Sequence, residues 1–130
     1  MRKCTLKILT QSDGNTTAFE SAALFEEGAS FDSLHYQVEG DEGILLIGDD
    51  GVTMTRRGSV EMKMLFRLNQ RTELLLLGEG CEGKIPLNTR EYRRQKADDK
   101  ISIQLCYELF QADHIQIFSQ DIQIVFSEEK

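Results

Sequence analysis

The chain has 130 residues, 40% of them hydrophobic and 28% charged, and a formal net charge of −7. This length allows a single domain, residues 1–130, that buries roughly two-thirds of its unfolded surface. The composition excludes wholesale disorder. The acidic balance argues against nucleic-acid binding, which needs a basic face, and against attachment to an anionic membrane surface.

The termini and the cysteines indicate the compartment. The N-terminal segment MRKCTLKILTQSD contains basic residues but no apolar run of signal-peptide length, and no later segment approaches a transmembrane span. Cys4, Cys81 and Cys106 are odd in number and widely separated, which favours free thiols over a disulfide framework. We therefore expect a cytoplasmic protein.

Apolar residues recur mainly with a period of two, and turn residues arrive about every ten residues, a pattern typical of an antiparallel barrel or sandwich. No long helix is predicted. The segment 18–27 has some helical propensity, but its apolar residues also alternate, so we predict a strand there. The predicted strands lie near residues 3–10, 16–26, 31–39, 43–48, 51–57, 60–68, 71–78, 81–88, 90–97, 100–110 and 114–126.

The first turn that assigns faces lies at residues 49–50, an Asp-Asp pair. As a two-residue turn it pairs Leu45 with Met54, and it places Gly43 opposite Arg56. Because directly paired residues of a hairpin point to the same face, Arg56 should share the inner face near one end of a barrel, with only a glycine across from it.

The next turn lies at residues 57–59. A three-residue loop, with its glycine in the left-handed conformation, pairs Met54 with Met62 and Val52 with Met64. A two-residue loop would put a glutamate opposite Met54, so the apolar pattern favours three residues.

A turn at residues 69–70 then pairs Met64 with Leu75 and Met62 with Leu77. The predicted inner face therefore contains Leu45, Ile47, Val52, Met54, Val60, Met62, Met64, Phe66, Leu75 and Leu77. The predicted outer face contains Leu65, Leu74 and Leu76. Outward leucines indicate a homodimer contact or a patch that the protein's own chain covers.

Three stretches resemble the YwiB-like bacterial proteins: TLKILTQSDG near the N-terminus, GVTMTRRGSVEMKMLF at 51–66 and ISIQLCYELF at 101–110. The most specific part is carried by Gly51, Val52, Thr53, Arg56, Gly58, Val60, Met62, Met64 and Phe66. That family has no known function and a calycin-type, lipocalin-like β-barrel. The resemblance implies about eight to ten antiparallel strands around an interior with room for a ligand, and it transfers no catalytic residue. The chain departs from the family at apolar-type positions now held by Tyr92, Arg94 and Lys96.

The residues suggest no enzyme chemistry. His35 and His114 lack cysteine or carboxylate neighbours at metal-ligand spacing, and no serine lies in a nucleophile-elbow motif. The Asp-Asp pairs at 49–50 and 98–99 fall at predicted hairpin tips, where aspartate favours the turn backbone. We therefore predict a protein that is not an enzyme and that has no cofactor or metal.

The segment REYRRQK, residues 90–96, gathers positive charge in an acidic protein, and its facing depends on the loop that follows. A two-residue loop at 98–99 gives three inward pairs: Arg94 with Ile103, Tyr92 with Leu105, and Arg90 with Tyr107. A three-residue loop at 97–99 would instead turn Glu91, Arg93 and Gln95 inward. The simpler interpretation, which we favour, is a solvated strand near an edge whose charges oppose aggregation.

The functional interpretation is a wet cationic mouth made by Arg56, Arg90 and Arg94. Such a mouth would bind the anionic head of a small amphipathic ligand. The adaptable face of Met54, Met62 and Met64 would take the tail, although packing is their default role. Hydroxyl hydrogen bonds would come from Tyr36, Tyr92 and Tyr107. The alternative is a protein-interaction or oligomerisation module with a packed interior, which uses Leu65, Leu74 and Leu76.

Overall fold

The computed structural model describes residues 1–78 and 80–127, except for the side chain of Cys81. No helix that could span a membrane occurs in these ranges. The chain forms ten strands: β1 (Arg2–Ser12), β2 (Asn15–Glu26), β3 (Asp32–Val38), β4 (Asp41–Ile47), β5 (Gly51–Arg57), β6 (Val60–Arg67), β7 (Arg71–Gly78), β8 (Cys81–Lys96), β9 (Lys100–Gln111) and β10 (His114–Phe126).

The strands form a closed antiparallel barrel in which each strand pairs with its neighbours in sequence and β1 pairs with β10. The predicted all-β barrel is therefore confirmed, as is the strand at 18–27. The predicted strands 81–88 and 90–97 are wrong as separate elements. They form one strand, β8, because a β-bulge between Thr89 and Glu91 takes the place of the predicted break.

Local turn chemistry explains two of the hairpins. Asp13 and Gly14, between β1 and β2, have φ angles of 51° and 78°, and Glu39 and Gly40, between β3 and β4, have 50° and 85°. Two positive φ angles in a two-residue loop define the type I′ turn, whose twist matches that of the strands it joins. These two short turns fix the register of the β1–β2 and β3–β4 ladders.

Aromatic rings cross the middle of the barrel. The ring of Tyr107 lies 4.7 Å from that of Phe66 and 5.1 Å from that of Phe118, measured between centroids. Together with these rings, the core contains the largest fully buried side chains: Phe25, Phe66, Leu6, Leu34, Leu45, Ile47, Leu87, Ile103, Ile122 and Ile124. Side chains, rather than an open chamber, occupy this part of the interior.

The predicted β4–β5 register is confirmed, since Leu45 pairs with Met54 and Gly43 with Arg56. The predicted β5–β6 register is wrong by two residues, since Met54 opposes Met64 and Arg56 opposes Met62. The turn begins one residue later than predicted, after Arg57. An even shift leaves every side chain on its predicted face.

The predicted β6–β7 register is wrong by one residue, which reverses the face of every side chain of β7. Met64 pairs with Leu74 and Met62 with Leu76, so these leucines point inward, and Leu74 is only 7% exposed. The predicted inward Leu77 is instead 51% exposed, and Leu75 likewise points outward. The predicted outer patch of Leu65, Leu74 and Leu76 therefore does not form, because only Leu65 faces out.

Contacts outside the hairpin cause this reversal. The amide of Leu68 donates to the carbonyl of Asp50, and the amide of Asn69 donates to the carbonyl of Thr89. The amide of Gln70 donates to the carbonyl of Arg67 and closes the turn. The connection thus has three residues, 68–70, where a two-residue turn was predicted. An odd loop changes which residues of β7 face the core.

The two ends of the barrel differ. The hairpin end carries the turns at 13–14, 39–40, 58–59 and 112–113, whereas the terminal end carries the turn at 49–50, the start of β1 and the ends of β8 and β10.

At the hairpin end β2 separates from β3, because only Ala23–Glu26 of β2 pair with Ser33–Tyr36 of β3. Residues 15–22 of β2 continue beside β1 alone. We call the gap between them and the β3–β4 turn the fork.

Candidate functional site

The two-residue loop is the one that follows REYRRQK, because the amide of Ala97 bonds to the carbonyl of Lys100. Arg94 accordingly pairs with Ile103 and Tyr92 with Leu105, as that register predicts. The third predicted pair, Arg90 with Tyr107, is wrong. The bulge puts Thr89 opposite Tyr107, and it leaves Arg90 exposed.

At the terminal end, Tyr92 and Arg94 bind the turn between β4 and β5. The Tyr92 hydroxyl donates to the carbonyl of Gly48 at 2.8 Å, and Arg94 donates to the same carbonyl at 3.2 Å and to the carboxylate of Asp49 at 2.6 Å. Burial raises the pKa of Tyr92, and Arg94 opposes part of that rise. The hydroxyl therefore stays a proton donor near neutral pH.

Lys96 extends the same set of contacts to β3. Its ammonium lies 2.8 Å from the carboxylate of Asp32, which is only 5% exposed and also accepts a hydrogen bond from the amide of Gly28. Three side chains of β8 thus hold β3 and the β4–β5 turn at the terminal end, and we call this set the terminal clamp (Tyr92, Arg94 and Lys96). The inward cations neutralise carboxylates of the chain itself.

Replacing Arg94 with methionine should lower the free energy of unfolding by about 1 kcal/mol, because it removes a charge-assisted bond and a bond to a carbonyl that Tyr92 still satisfies. Chemical denaturation measures the change. The matched control is Arg93→Met, since Arg93 lies one residue away on the exposed outer side of the strand. Equal effects of the two substitutions would contradict the clamp.

At the hairpin end, Arg56 lies between two carboxylates. Its Nε is 2.8 Å from Asp41, and its Nη2 is 3.3 Å from Glu39, whose side chain is 82% exposed. The hydrogen bond to Asp41 raises the pKa of Arg56, and burial opposes part of the rise. The guanidinium is firmly held on one side and reaches toward solvent on the other.

Tyr36 lies beside Arg56, and its ring covers Gly43. A Cβ atom on Gly43 would lie 2.4 Å from two ring carbons, so glycine leaves the space that the ring occupies. The ring also lies 5.8 Å from that of Phe19 on β2, a contact that bridges the fork. Burial raises the pKa of Tyr36, with Arg56 opposing, which keeps the hydroxyl protonated.

The structure does not bring the three arginines of the predicted mouth together. Arg94 belongs to the terminal clamp, Arg90 is exposed at the bulge, and Arg56 lies at the hairpin end. Along β4, the partners of Arg94 and Arg56 are Gly48 and Gly43, five residues apart, which is about 16 Å. A shared anion site for all three is therefore excluded by geometry.

The other predicted site residues are divided in the same way. Met54 and Met64 face each other across β5 and β6 and are buried, whereas Met62 is half-buried beside Arg56. Tyr107 lies in the central aromatic stack, where burial raises its pKa well above the ordinary value. Of the predicted residues, Tyr36, Arg56 and Met62 lie together at the hairpin end.

A groove of about 740 Å³ lies at the fork, on the side where β2 leaves β3. Its walls come from β1 to β4 and the residue after β10: Lys3, Cys4, Thr5, Ala22, Ala23, Leu24, His35, Tyr36, Gln37, Gly40, Asp41, Glu42 and Ser127. Asp41, the partner of Arg56, and Tyr36 both reach it. Sequence reasoning missed this groove, although one signal was present: the strand predicted at 16–26 is too long to pair fully with a neighbour that turns after residue 39.

The fold and this groove define the class of the protein: a closed ten-stranded antiparallel barrel with an aromatic stack in its core and a groove at the fork. The chain belongs to the family described as "Domain of unknown function (DUF1934)", which matches residues 4–124. The crystal structure of the ywiB protein from Bacillus subtilis is similar, with a TM-score of 0.80 over 97% of this chain and 91% of that one, at 17% identity. No curated protein matches the chain. The predicted kinship with YwiB-like proteins is confirmed.

Proposed function

We propose that this protein binds a small amphipathic molecule in the groove at the fork. The observation that carries the proposal is the groove itself, whose volume of about 740 Å³ lies within the roughly 300–1,000 Å³ of small-molecule sites. Alanine and leucine side chains form one strip of its walls, and most of the other lining residues, such as Lys3, His35 and Gln37, are polar or charged, which suits a ligand with an apolar and a polar part. The proposal thus places the ligand at the fork rather than between the buried methionines.

Arg56 supports an anionic head group on this ligand. Asp41 lines the groove and binds the Nε of Arg56. The Nη2 of Arg56 contacts the exposed carboxylate of Glu39. Exposed ion pairs contribute little to stability, so a ligand carboxylate or phosphate that enters beside Asp41 displaces Glu39 at small cost. The planar guanidinium then binds the head through charge-assisted hydrogen bonds.

The apolar part of the ligand has its own surface. Ala22 and Leu24 of β2 line the groove on one side, and Leu24 is 41% exposed, an apolar side chain that a ligand would cover. Tyr36 adds an aromatic ring beside them. Burial of this surface supplies roughly 25 cal/mol for each Å² of apolar area removed from water.

Binding is tested with 8-anilinonaphthalene-1-sulfonate, an amphipathic anion whose fluorescence reports an apolar site. We expect Arg56→Gln to weaken its binding about tenfold, since the head group loses its charged donor. Ala22→Trp should abolish binding, because the indole fills the groove. Arg93→Gln is the matched control, and it removes the same charge from the outer face without touching the groove.

Equal dissociation constants for wild type, Arg56→Gln and Ala22→Trp would overturn the proposal. Native mass spectrometry of protein purified without denaturant provides the second readout. A co-purifying small molecule should be present in wild type and absent from Ala22→Trp. Circular dichroism of each variant serves as the control for folding.

A further inference from the structure

The free edge of β2 has a definite pattern of backbone donors and acceptors. The type I′ turn at 13–14 makes Ser12 and Asn15 a pair that exchanges both hydrogen bonds. Along an antiparallel ladder such pairs alternate with unbonded ones. The odd-numbered residues from Asn15 to Ala23 therefore direct their N–H and C=O groups toward β1.

The even-numbered residues direct theirs away from β1. In Leu24 and Glu26 these groups meet β3, which pairs with β2 at those positions. In Thr16, Ala18 and Glu20 they have no partner strand among the residues that the structure describes, because the β2–β3 ladder begins only at Ala23. Unpaired edges of this kind are templates for another strand.

This edge also lacks the usual protection against strand pairing. The stretch from 15 to 22 reads NTTAFESA, with no proline, no lysine and no bulge against β1. Its only charge is Glu20, which is held by Lys7 of β1 at 3.6 Å. The outward side chains of the stretch are small or polar, and they are exposed.

We propose that two copies of this chain pair through these edges, antiparallel across a two-fold axis at Ala18. Hydrogen-bonded pairs across such an axis must join even-numbered residues, because only these have free groups. Ala18 then faces Ala18 of the partner subunit, and Thr16 faces Glu20 of the partner subunit. About six backbone hydrogen bonds join the two arms, two for each bonded pair.

Neighbouring registers are less favourable for stated reasons. An axis at Glu20 would oppose two like charges, which destabilises a cross-strand pair. An axis at Phe19 would place Asn15 of the partner subunit against Ala23, whose edge Tyr36 already occupies. An axis at residue 17 would place Glu20 opposite the 13–14 turn of the partner subunit, so Glu20 would have no strand residue to pair with. Charge, space and hydrogen bonding thus select Ala18, and a second copy fits because the edge is complementary to itself.

Disulfide trapping tests this register. Cα atoms of a bonded antiparallel pair lie about 5.5 Å apart, within the range of roughly 4.4–6.8 Å that a disulfide spans. In a background with Cys81→Ser and Cys106→Ser, Ala18→Cys should give a covalent dimer on mild oxidation. The matched control Glu20→Cys should not form a covalent dimer, since two residues 20 would lie about 13 Å apart along the strands. A dimer from Glu20→Cys and none from Ala18→Cys would overturn the proposal.

Sedimentation velocity tests the association itself. Wild type should sediment as a dimer whose fraction rises with concentration, and Ala18→Pro should sediment as a monomer. The N–H that proline removes points to the free edge, so the β1 ladder is intact and the melting temperature of the monomer should change little. A wild type that is monomeric throughout the concentration series overturns the proposal, even if that monomer binds an unrelated extended peptide. Dye binding in the groove is measured separately, so either proposal can fail without the other.

Discussion

Replacing Gly51 with alanine is expected to lower the free energy of unfolding by about 3 kcal/mol or more. A Cβ atom at this position would lie 1.8 Å from the carbonyl oxygen of Phe66 and 2.8 Å from its carbonyl carbon. These are backbone atoms of the paired strand, so no side-chain rotation relieves the overlap. The β5–β6 ladder must separate, and the central aromatic stack that Phe66 anchors must move with it.

Equilibrium denaturation in guanidinium chloride measures this effect, and Gly83→Ala is the matched control. At Gly83 a Cβ atom would meet only side-chain atoms of Leu76 at 3.9 and 4.0 Å, which is ordinary contact. Its free energy of unfolding should change by no more than about 0.5 kcal/mol, with a gain from reduced unfolded-state entropy. If the two alanine variants were equally stable, the close approach of β5 and β6 at Gly51 would be wrong.

The second large effect is expected at Gly43, where one substitution should lower both the stability of the fold and the affinity of the groove for the dye. Gly43→Val should cost about 2–3 kcal/mol, because its Cβ would overlap the ring of Tyr36 by approaching to 2.4 Å. The displaced ring also leaves the wall of the groove, so dye affinity should fall together with stability. Denaturation and fluorescence titration of the same variant give both results.

A double-mutant cycle distinguishes this overlap from a general intolerance of β4. When Tyr36 is first replaced by alanine, the space above residue 43 is empty, and Gly43→Val should then cost nearly nothing. The coupling between the two positions should be about 2–3 kcal/mol. Additive effects would show that the ring does not occupy the space above Gly43.

The contrast among the turns shows which parts of the register are local. The Asp-Asp turn at 49–50 was predicted correctly because a local hydrogen bond closes it: the amide of Gly48 donates to the carbonyl of Gly51. The turn at 69–70 was predicted wrongly because two of its amides bind Asp50 and Thr89, which are distant in sequence. Hydrophobic alternation could not correct the error, because LLLL at 74–77 has no polar residue to mark the outer face.

The positive segment REYRRQK shows the same division. Its two-residue loop and the inward facing of Arg94 were among the registers that the residues allowed. The bulge that expels Arg90 was not predicted, and neither was the ion pair of Lys96 with the buried Asp32. Such a partner, 64 residues away, is found only once the barrel has closed.

The sequence by itself determined the all-β class, the antiparallel order, most of the strands and the family kinship, because alternation, turn residues and a spaced pattern of glycines and methionines act over a few residues. Tertiary structure alone decided the face of β7, the separation of Arg56 from Arg94 and the position of the groove. These depend on where strands of unequal length part and which distant carbonyls accept a bond. Closure of the barrel determines where the strands part and which carbonyls accept bonds, because it brings together residues that are distant in sequence and that no local pattern relates.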